Sequence, residues 1–240
     1  MKLFLILLAA AGLLSGCNNS KPGEPGQETI WEAAKIITKQ DMVNAGGEDA
    51  FFAILPVDDA MREYMVQGGS YPAEGALIST DELRVLHVLH YNAGDTICGE
   101  MICNKAIADD LLAIFRELFH ASYPVERMAL IDEYGADDES SMRANNSSCF
   151  CYRVIAGSTR LSNHAKGMAV DINPLYNPYI KITDEKTVLQ PATAGAYLDR
   201  DASFPYKIDE NDLAYKLFKA RGFDWGGEWT SLKDYQHFEK

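Results

Sequence analysis

The sequence predicts an α+β fold, a mainly antiparallel sheet flanked by helices. Three observations lead there. Leu83–Tyr91 and Thr96–Cys103 are rich in apolar and β-branched residues, and Asn92-Ala93-Gly94-Asp95 between them supplies the turn chemistry that closes a hairpin. Ile107, Leu111, Ile114, Phe115 and Leu118 recur at helical spacing, so Ala106–Ala121 reads as an amphipathic helix. The later strand candidates are separated by helices without regular strand–helix–strand alternation, which argues for an α+β arrangement.

In chain order, Lys2 precedes an apolar run from Leu3 to Leu14 that breaks at Ser15-Gly16-Cys17. The run is too short to be a good membrane span and has the shape of a secretory signal. Leu14-Ser15-Gly16-Cys17 resembles a bacterial lipobox, in which cleavage before the cysteine leaves it lipidated. The resemblance implies an exported protein held on the cell envelope by lipid at Cys17, with several acyl chains giving a stable anchor. Residues 1–17 are therefore read as a lipoprotein signal and the Pro/Gly-rich residues 18–27 as a flexible tether. Residues 28–82 read as an N-terminal extension wrapped on the main domain, with Trp31–Ile37 and Asp58–Met65 as short helices. The main domain runs from 83 to 240. Within it Met128–Asp132, Phe150–Val154 and Gly167–Asn173 are strand candidates, Glu133–Ser140 is an acidic loop, and Asp209–Ala220 is a helix ended by Gly222.

With 240 residues, 47% of them apolar, the chain can bury one substantial core, and it is expected to be a monomer. Its 35 Asp and Glu against 22 Lys and Arg give a net charge of −13. That excludes nucleic acid as a partner, because phosphates call for clustered cations. Setting Cys17 aside leaves Cys98, Cys103, Cys149 and Cys151. Neighbours along one strand are badly placed to bridge each other, so a disulfide would join one pair to the other. Free buried thiols are the equal alternative, and a four-cysteine metal site has the wrong spacing.

The chemistry concentrates in Arg160–Pro174 and at the end of the chain. In a strand over Gly167–Asn173, Met168, Val170 and Ile172 face the core, while Ala169, Asp171 and Asn173 face the other way. Gly167 lets the chain turn and bring His164 back toward Asp171. Alone, such a pair could be structural. Asp234 and His237 add a carboxylate and an imidazole that share one side of a helical turn or tight bend, not of a strand. Catalytic zinc takes three protein ligands and keeps one position open. His164, Asp171 and His237 make such a set, leaving Asp234 as general base beside a metal-activated water. Glu239 is either support for His237 or a solvent-facing carboxylate. Ser162 reads as hydrogen-bonding support, since no nucleophile elbow surrounds it. His87 and His90 face opposite sides of one strand and make no ligand pair, and His120 sits at a helix end.

The pattern Ser162, His164, Gly167, Ala169, Asp171, followed by Asp234 and His237, resembles the zinc D-alanyl-D-alanine carboxypeptidase family. That family includes L-alanyl-D-glutamate endopeptidases and D,D-dipeptidases. The likeness extends through Phe150-Cys151-Tyr152-Arg153 and Phe223–Trp229 and spans roughly Leu83–Lys240. It implies a hedgehog/D,D-peptidase-like fold, one Zn²⁺ per chain on His164, Asp171 and His237, Asp234 as the base, and peptidoglycan stem peptides as substrate. Arg153 matches an arginine that steadies the carbonyl oxygen or a substrate carboxylate. The competing reading pairs it with Asp137 or Asp138. Trp225, Trp229 and Gly226 either wall the substrate cleft or form a core turn. Asp234 departs from the Glu usual in the dipeptidase branch and so favours the carboxypeptidase or endopeptidase branch. Cys149 and Cys151 are foreign to the arginine strand. The alternative function is a non-catalytic zinc-containing module that binds cell wall on the same fold.

Overall fold

The computed structural model describes residues 31–153, 160–184 and 186–240. The signal, Cys17, the tether and Val154 lie outside the described residues. The extension begins with α1 (Lys39–Asn44), capped by Thr38 and Asp41 in a reciprocal box. Next come β1 (Ala53–Pro56) and α2 (Asp59–Gly68), the latter capped by Asp58, which accepts from the Met61 amide.

The hairpin follows as read: β2 (Leu83–Asn92) and β3 (Asp95–Asn104) pair antiparallel from Leu83 opposite Asn104 to Asn92 opposite Asp95. Ala93 and Gly94 both take positive φ (51° and 100°), the conformation whose twist suits a two-residue hairpin. The extension covers both edges. β1 pairs with β2, while Ile36 bridges Ile97 on β3. The expected helix over Trp31–Ile37 is absent, because Ala34 takes φ 61° and the backbone from Ala34 to Ile37 bonds to Thr96 and Cys98 instead.

α3 (Ala108–His120) packs Leu111, Ile114, Phe115 and Leu118 into the core against β2. Beyond it, Met128–Asp132 is not a strand: only the Met128 carbonyl joins β3, accepting from the Glu100 amide, and the chain then coils into a 3₁₀ turn at Ile131–Tyr134. A short apolar run reads alike in a strand and in a buried turn. The acidic loop is partly helical, as α4 (Asp138–Arg143). Phe150–Tyr152 runs without a strand ladder, since its three amides go to Ile102, His164 and Ser70.

The rest is β4 (Ala169–Asp171), β5 (Tyr179–Ile182), β6 (Thr187–Gln190), α5 (Leu213–Ala220), β7 (Asp224–Trp225), β8 (Lys233–Asp234) and β9 (His237–Glu239). Instead of one sheet, the described residues form three, each of three antiparallel strands in the orders β1-β2-β3, β4-β9-β7 and β6-β5-β8. The α+β class stands. β4 is shorter than read, and Ala169 and Asn173, assigned to its open face, are fully buried. Among the described residues no helix is long and apolar enough to cross a membrane.

Two features of this frame aim the site. The outer edge of β3 receives one loop after another, ending with the Asn104 amide on the Gly167 carbonyl at 2.8 Å. Gly167 has φ 68°, and a Cβ there would lie 2.6 Å from the Asn104 nitrogen. Gly167→Ala is expected to destabilise the protein by roughly 2–5 kcal/mol from left-handed strain plus overpacking, read as a lower urea midpoint at unchanged m-value. At the other end, Phe238 stacks on Phe218 of α5 (4.3 Å between ring centroids) and is fully buried. Strand alternation then turns His237 and Glu239 to the opposite face.

Candidate metal centre

His164 opens a 3₁₀ turn (His164–Lys166) that ends at Gly167. Ser162 Oγ accepts from the Ala165 amide at 3.0 Å and fixes the turn's start, the support role read from the sequence. Asp171 closes β4 directly opposite His237 in β9. The two imidazoles and the carboxylate converge: His164 Nε2 to His237 Nδ1 is 3.2 Å, His237 Nδ1 to Asp171 Oδ1 is 3.1 Å, and His164 Nε2 to Asp171 Oδ2 is 3.4 Å. Bonds of about 2.0–2.1 Å directed to tetrahedral corners place donor atoms roughly 3.3 Å apart. The spacing between the two ring nitrogens matches that edge length, and the carboxylate offers a different oxygen to each ring.

The outer nitrogens are committed as well. His164 Nδ1 lies 2.6 Å from the Cys149 carbonyl oxygen, and His237 Nε2 lies 3.0 Å from Glu239 Oε2. Both partners are acceptors, so each ring donates outward and, in its neutral form, turns a lone pair toward Asp171. Two lone pairs and a carboxylate facing one point suit a cation. In the metal-free protein a proton takes that place. Burial would lower the His237 pKa, yet its bonds to Asp171 and Glu239 outweigh this and push it up to about 10. Burial likewise raises Asp171, but the His164 charge and the hydrogen bonds from both rings hold it well below the usual carboxylate range. Glu239, bonded to His237 and accepting from Asn163 Nδ2 at 2.7 Å, falls to about 2. Glu239 is thus the support for His237 and not a free carboxylate. Glu239→Gln is expected to weaken zinc binding about 10–100-fold, measured by competition with a chromophoric chelator; equal affinities would show that this contact does nothing for the site.

Asp234 ends β8, and only Tyr235 and Gln236 separate it from His237, a tight bend between two short strands. Its Oδ1 is buried with no hydrogen-bond partner. Burial pushes its pKa up to about 6, against the opposing pull of His237. Gly226 makes room for it, since a Cβ there would meet the Asp234 carbonyl oxygen at 2.5 Å. Trp225 lies behind the site, not in its wall. It is buried against Tyr215, Tyr235 and Phe238, and Nε1 donates to the Tyr235 carbonyl at 2.9 Å, bracing the bend between Asp234 and His237. Trp229 is the cleft tryptophan, with its ring 5.3 Å from His237.

Asp171, Asp234, His164, His237 and Glu239 line one cavity of about 590 Å³, together with Arg153, Arg160, Lys166, Tyr179, Gln190, Trp229 and others. Arg153 is both in the cavity and ion-paired with Asp138, so the two readings of this residue coexist in place. Burial lowers the Arg153 pKa, while the charges of Asp171 and Asp234 support its cation. Asn163, Lys166, Tyr179 and Gln190 were given no role from the sequence. The first two sit inside the His164 motif; Tyr179 arrives because β5 pairs with β8, and Gln190 because β6 pairs with β5 opposite Tyr179.

The four cysteines among the described residues, Cys98, Cys103, Cys149 and Cys151, are buried free thiols, and none of them joins the His164 cluster. Burial pushes Cys98 up to about 11 and Cys103 and Cys151 up to about 12. His87 pairs with Glu100 and stacks on Trp31, whereas His90 bonds to the Val125 carbonyl, and His120 meets Glu48.

An α+β chain thus gathers two imidazoles and a carboxylate that could hold a metal ion, with a further buried carboxylate in the same cavity. Residues 156–240 match the family model described as D-alanyl-D-alanine carboxypeptidase, which supports the resemblance read from the sequence. The match takes in His164, Asp171, Asp234 and His237 but begins after Arg153, and it is shorter than the Leu83–Lys240 span of the sequence resemblance. No solved structure matches the chain.

Proposed function

We propose that the chain is a zinc metallopeptidase that hydrolyses peptidoglycan stem peptides, as a D-Ala-D-Ala carboxypeptidase or an L-Ala-D-Glu endopeptidase, on a hedgehog/D,D-peptidase-like fold. The observation that carries this reading is the Asp234 carboxylate, whose Oδ1 has no hydrogen-bond partner, in the same cavity as His164, Asp171 and His237. Zinc bound by those three residues would supply Lewis acidity toward the scissile carbonyl and toward water.

The chain's own groups do the rest. Asp234 takes the proton of the attacking water on Oδ1, which no protein donor occupies, and returns it to the leaving amine. A carboxylate lifted by burial toward neutrality is better matched to that exchange than an exposed one. Arg153 leaves Asp138 to hold the developing oxyanion, where a fixed cation stabilises charge that appears only in the transition state. Trp229 and Tyr179 line the cavity where they would flank the peptide. A non-catalytic wall-binding module would need the three ligands without the base, so the retained Asp234 favours turnover. We place the protein on the cell envelope, anchored through Cys17.

The reading is tested by digesting purified peptidoglycan with the zinc-loaded protein and identifying the new termini by mass spectrometry. Free D-Ala would assign the carboxypeptidase, new D-Glu amino termini the endopeptidase. Intact muropeptides at stoichiometric zinc would overturn the peptidase reading and leave the binding module.

A further inference from the structure

The cavity holds a cation that its own carboxylates do not answer. Asp138 is engaged with Arg153, Asp171 with the two histidines, and Glu239 with His237 and Asn163. Lys166 makes no ion pair among the described residues; the partner of its ammonium is the neutral Asn163 Oδ1 at 3.0 Å. Its backbone is held firmly, with the amide on the Asn163 carbonyl and its own carbonyl accepting from Asn104 Nδ2 at 3.0 Å. Lys166 is thus a half-buried, pre-positioned cation in the cavity wall, two residues from His164. In a chain of net charge −13 a lysine without an ion-pair partner among the described residues, in the cavity that holds the ligands, stands out. Acidic peptides are repelled by such a protein at large and need a local cation to dock.

Resting on the peptidase reading above, we propose that Lys166 reads a carboxylate of the bound peptide and so sets the enzyme's preference for anionic over amidated substrates. Asn163 is the positioning residue, holding the ammonium with Oδ1 while Nδ2 holds Glu239, so that the substrate contact and the support of His237 share one side chain. The carboxylate is either the peptide's C-terminus or the free carboxyl of its D-glutamyl residue, and the two are separable by amidation.

The probe is the pentapeptide L-Ala-D-Glu-L-Lys-D-Ala-D-Ala, made with both carboxyls free, with the C-terminus amidated, and with the glutamyl carboxyl amidated. Binding is followed by tryptophan fluorescence, Trp229 reporting from the cavity wall, on the zinc-loaded Asp234→Asn variant so that the peptide is not consumed. One amidation is expected to weaken binding roughly tenfold, the size of one charge-assisted hydrogen bond at a half-buried site, and it identifies which carboxylate is read. Adding Lys166→Met should erase the difference between free and amidated forms, and Lys166→Arg should restore most of it. The same ratio of kcat/KM values is then measured with Asp234 intact. A preference that survives Lys166→Met, or free and amidated peptides that bind alike with Lys166 present, overturns the proposal. Binding that discriminates through Lys166 in a protein that cleaves none of the peptides would instead sink the peptidase reading and leave this inference standing.

Discussion

Asp234→Asn is expected to lower kcat/KM on muropeptides by about 10²–10⁴, the range for loss of a general acid–base, while zinc affinity stays within a few-fold of the parent. The substitution keeps the shape of the side chain and removes its ability to take a proton. It should also make the metal-free protein more stable. Burial raises the folded-state pKa of Asp234 to about 6, above the value of 3.8 for a free carboxyl. A raised carboxyl pKa means that the folded state disfavours the ionised form, so stability is lost as pH rises from 3.8 through about 6, and the cost stands in full at neutral pH. Asparagine carries no such cost. Activity and stability thus move in opposite directions in one variant, as for a group kept for function against the fold. Steady-state kinetics, bound-zinc analysis and the thermal midpoint of the metal-free protein at pH 7.5 read the three effects. A variant that cuts as well as the parent would remove Asp234 from the mechanism.

How much of this was legible in the sequence depended on distance along the chain. The β2–β3 hairpin and α3 are local patterns, and both came out within two residues of the reading because turn chemistry and helical spacing are written in adjacent residues. His164, Gly167 and Asp171 were legible for the same reason, as a turn and a strand inside eight residues. Their junction with His237 was read from the three-ligand count of a catalytic zinc and from the resemblance, not from any local pattern; the structure supplies the cause, namely Phe238 anchoring β9 against β4.

What failed to be legible is long-range. Phe150–Tyr152 looks like a strand, but no neighbour runs alongside it. Trp225 and Trp229 stand in one aromatic–glycine stretch, and nothing in that stretch tells which turns inward. Packing on Phe238 decides it. Lys166 and Asn163 carried no signal of their own, because an amide that holds a lysine on one side and a carboxylate on the other is visible only when Glu239 has arrived from the far end of the chain.

Zinc affinity is expected to rise about a hundredfold between pH 6.5 and pH 8.5, and over that interval the stability of the metal-free form should fall while that of the zinc-loaded form stays nearly level. In the metal-free protein the His237 proton is held up to about 10 by Asp171 and Glu239 despite burial. A folded pKa raised above about 6.5 for a free imidazole contributes stability that is whole below that value and is lost as pH rises toward about 10, so the metal-free midpoint should fall from pH 6.5 to 8.5. Zinc must displace the same proton, so each pH unit below about 10 strengthens its apparent binding about tenfold. Asp171 adds nothing here, because its depressed carboxyl is already ionised. The interval stops at 8.5 because the buried thiols, pushed up to about 11 or 12, begin to favour the unfolded chain once its cysteines ionise. Chelator competition and thermal melts at three pH values, with and without zinc, measure both slopes. Affinity that does not vary with pH would mean that the proton on His237 and the metal do not compete, and that His237 is not a ligand.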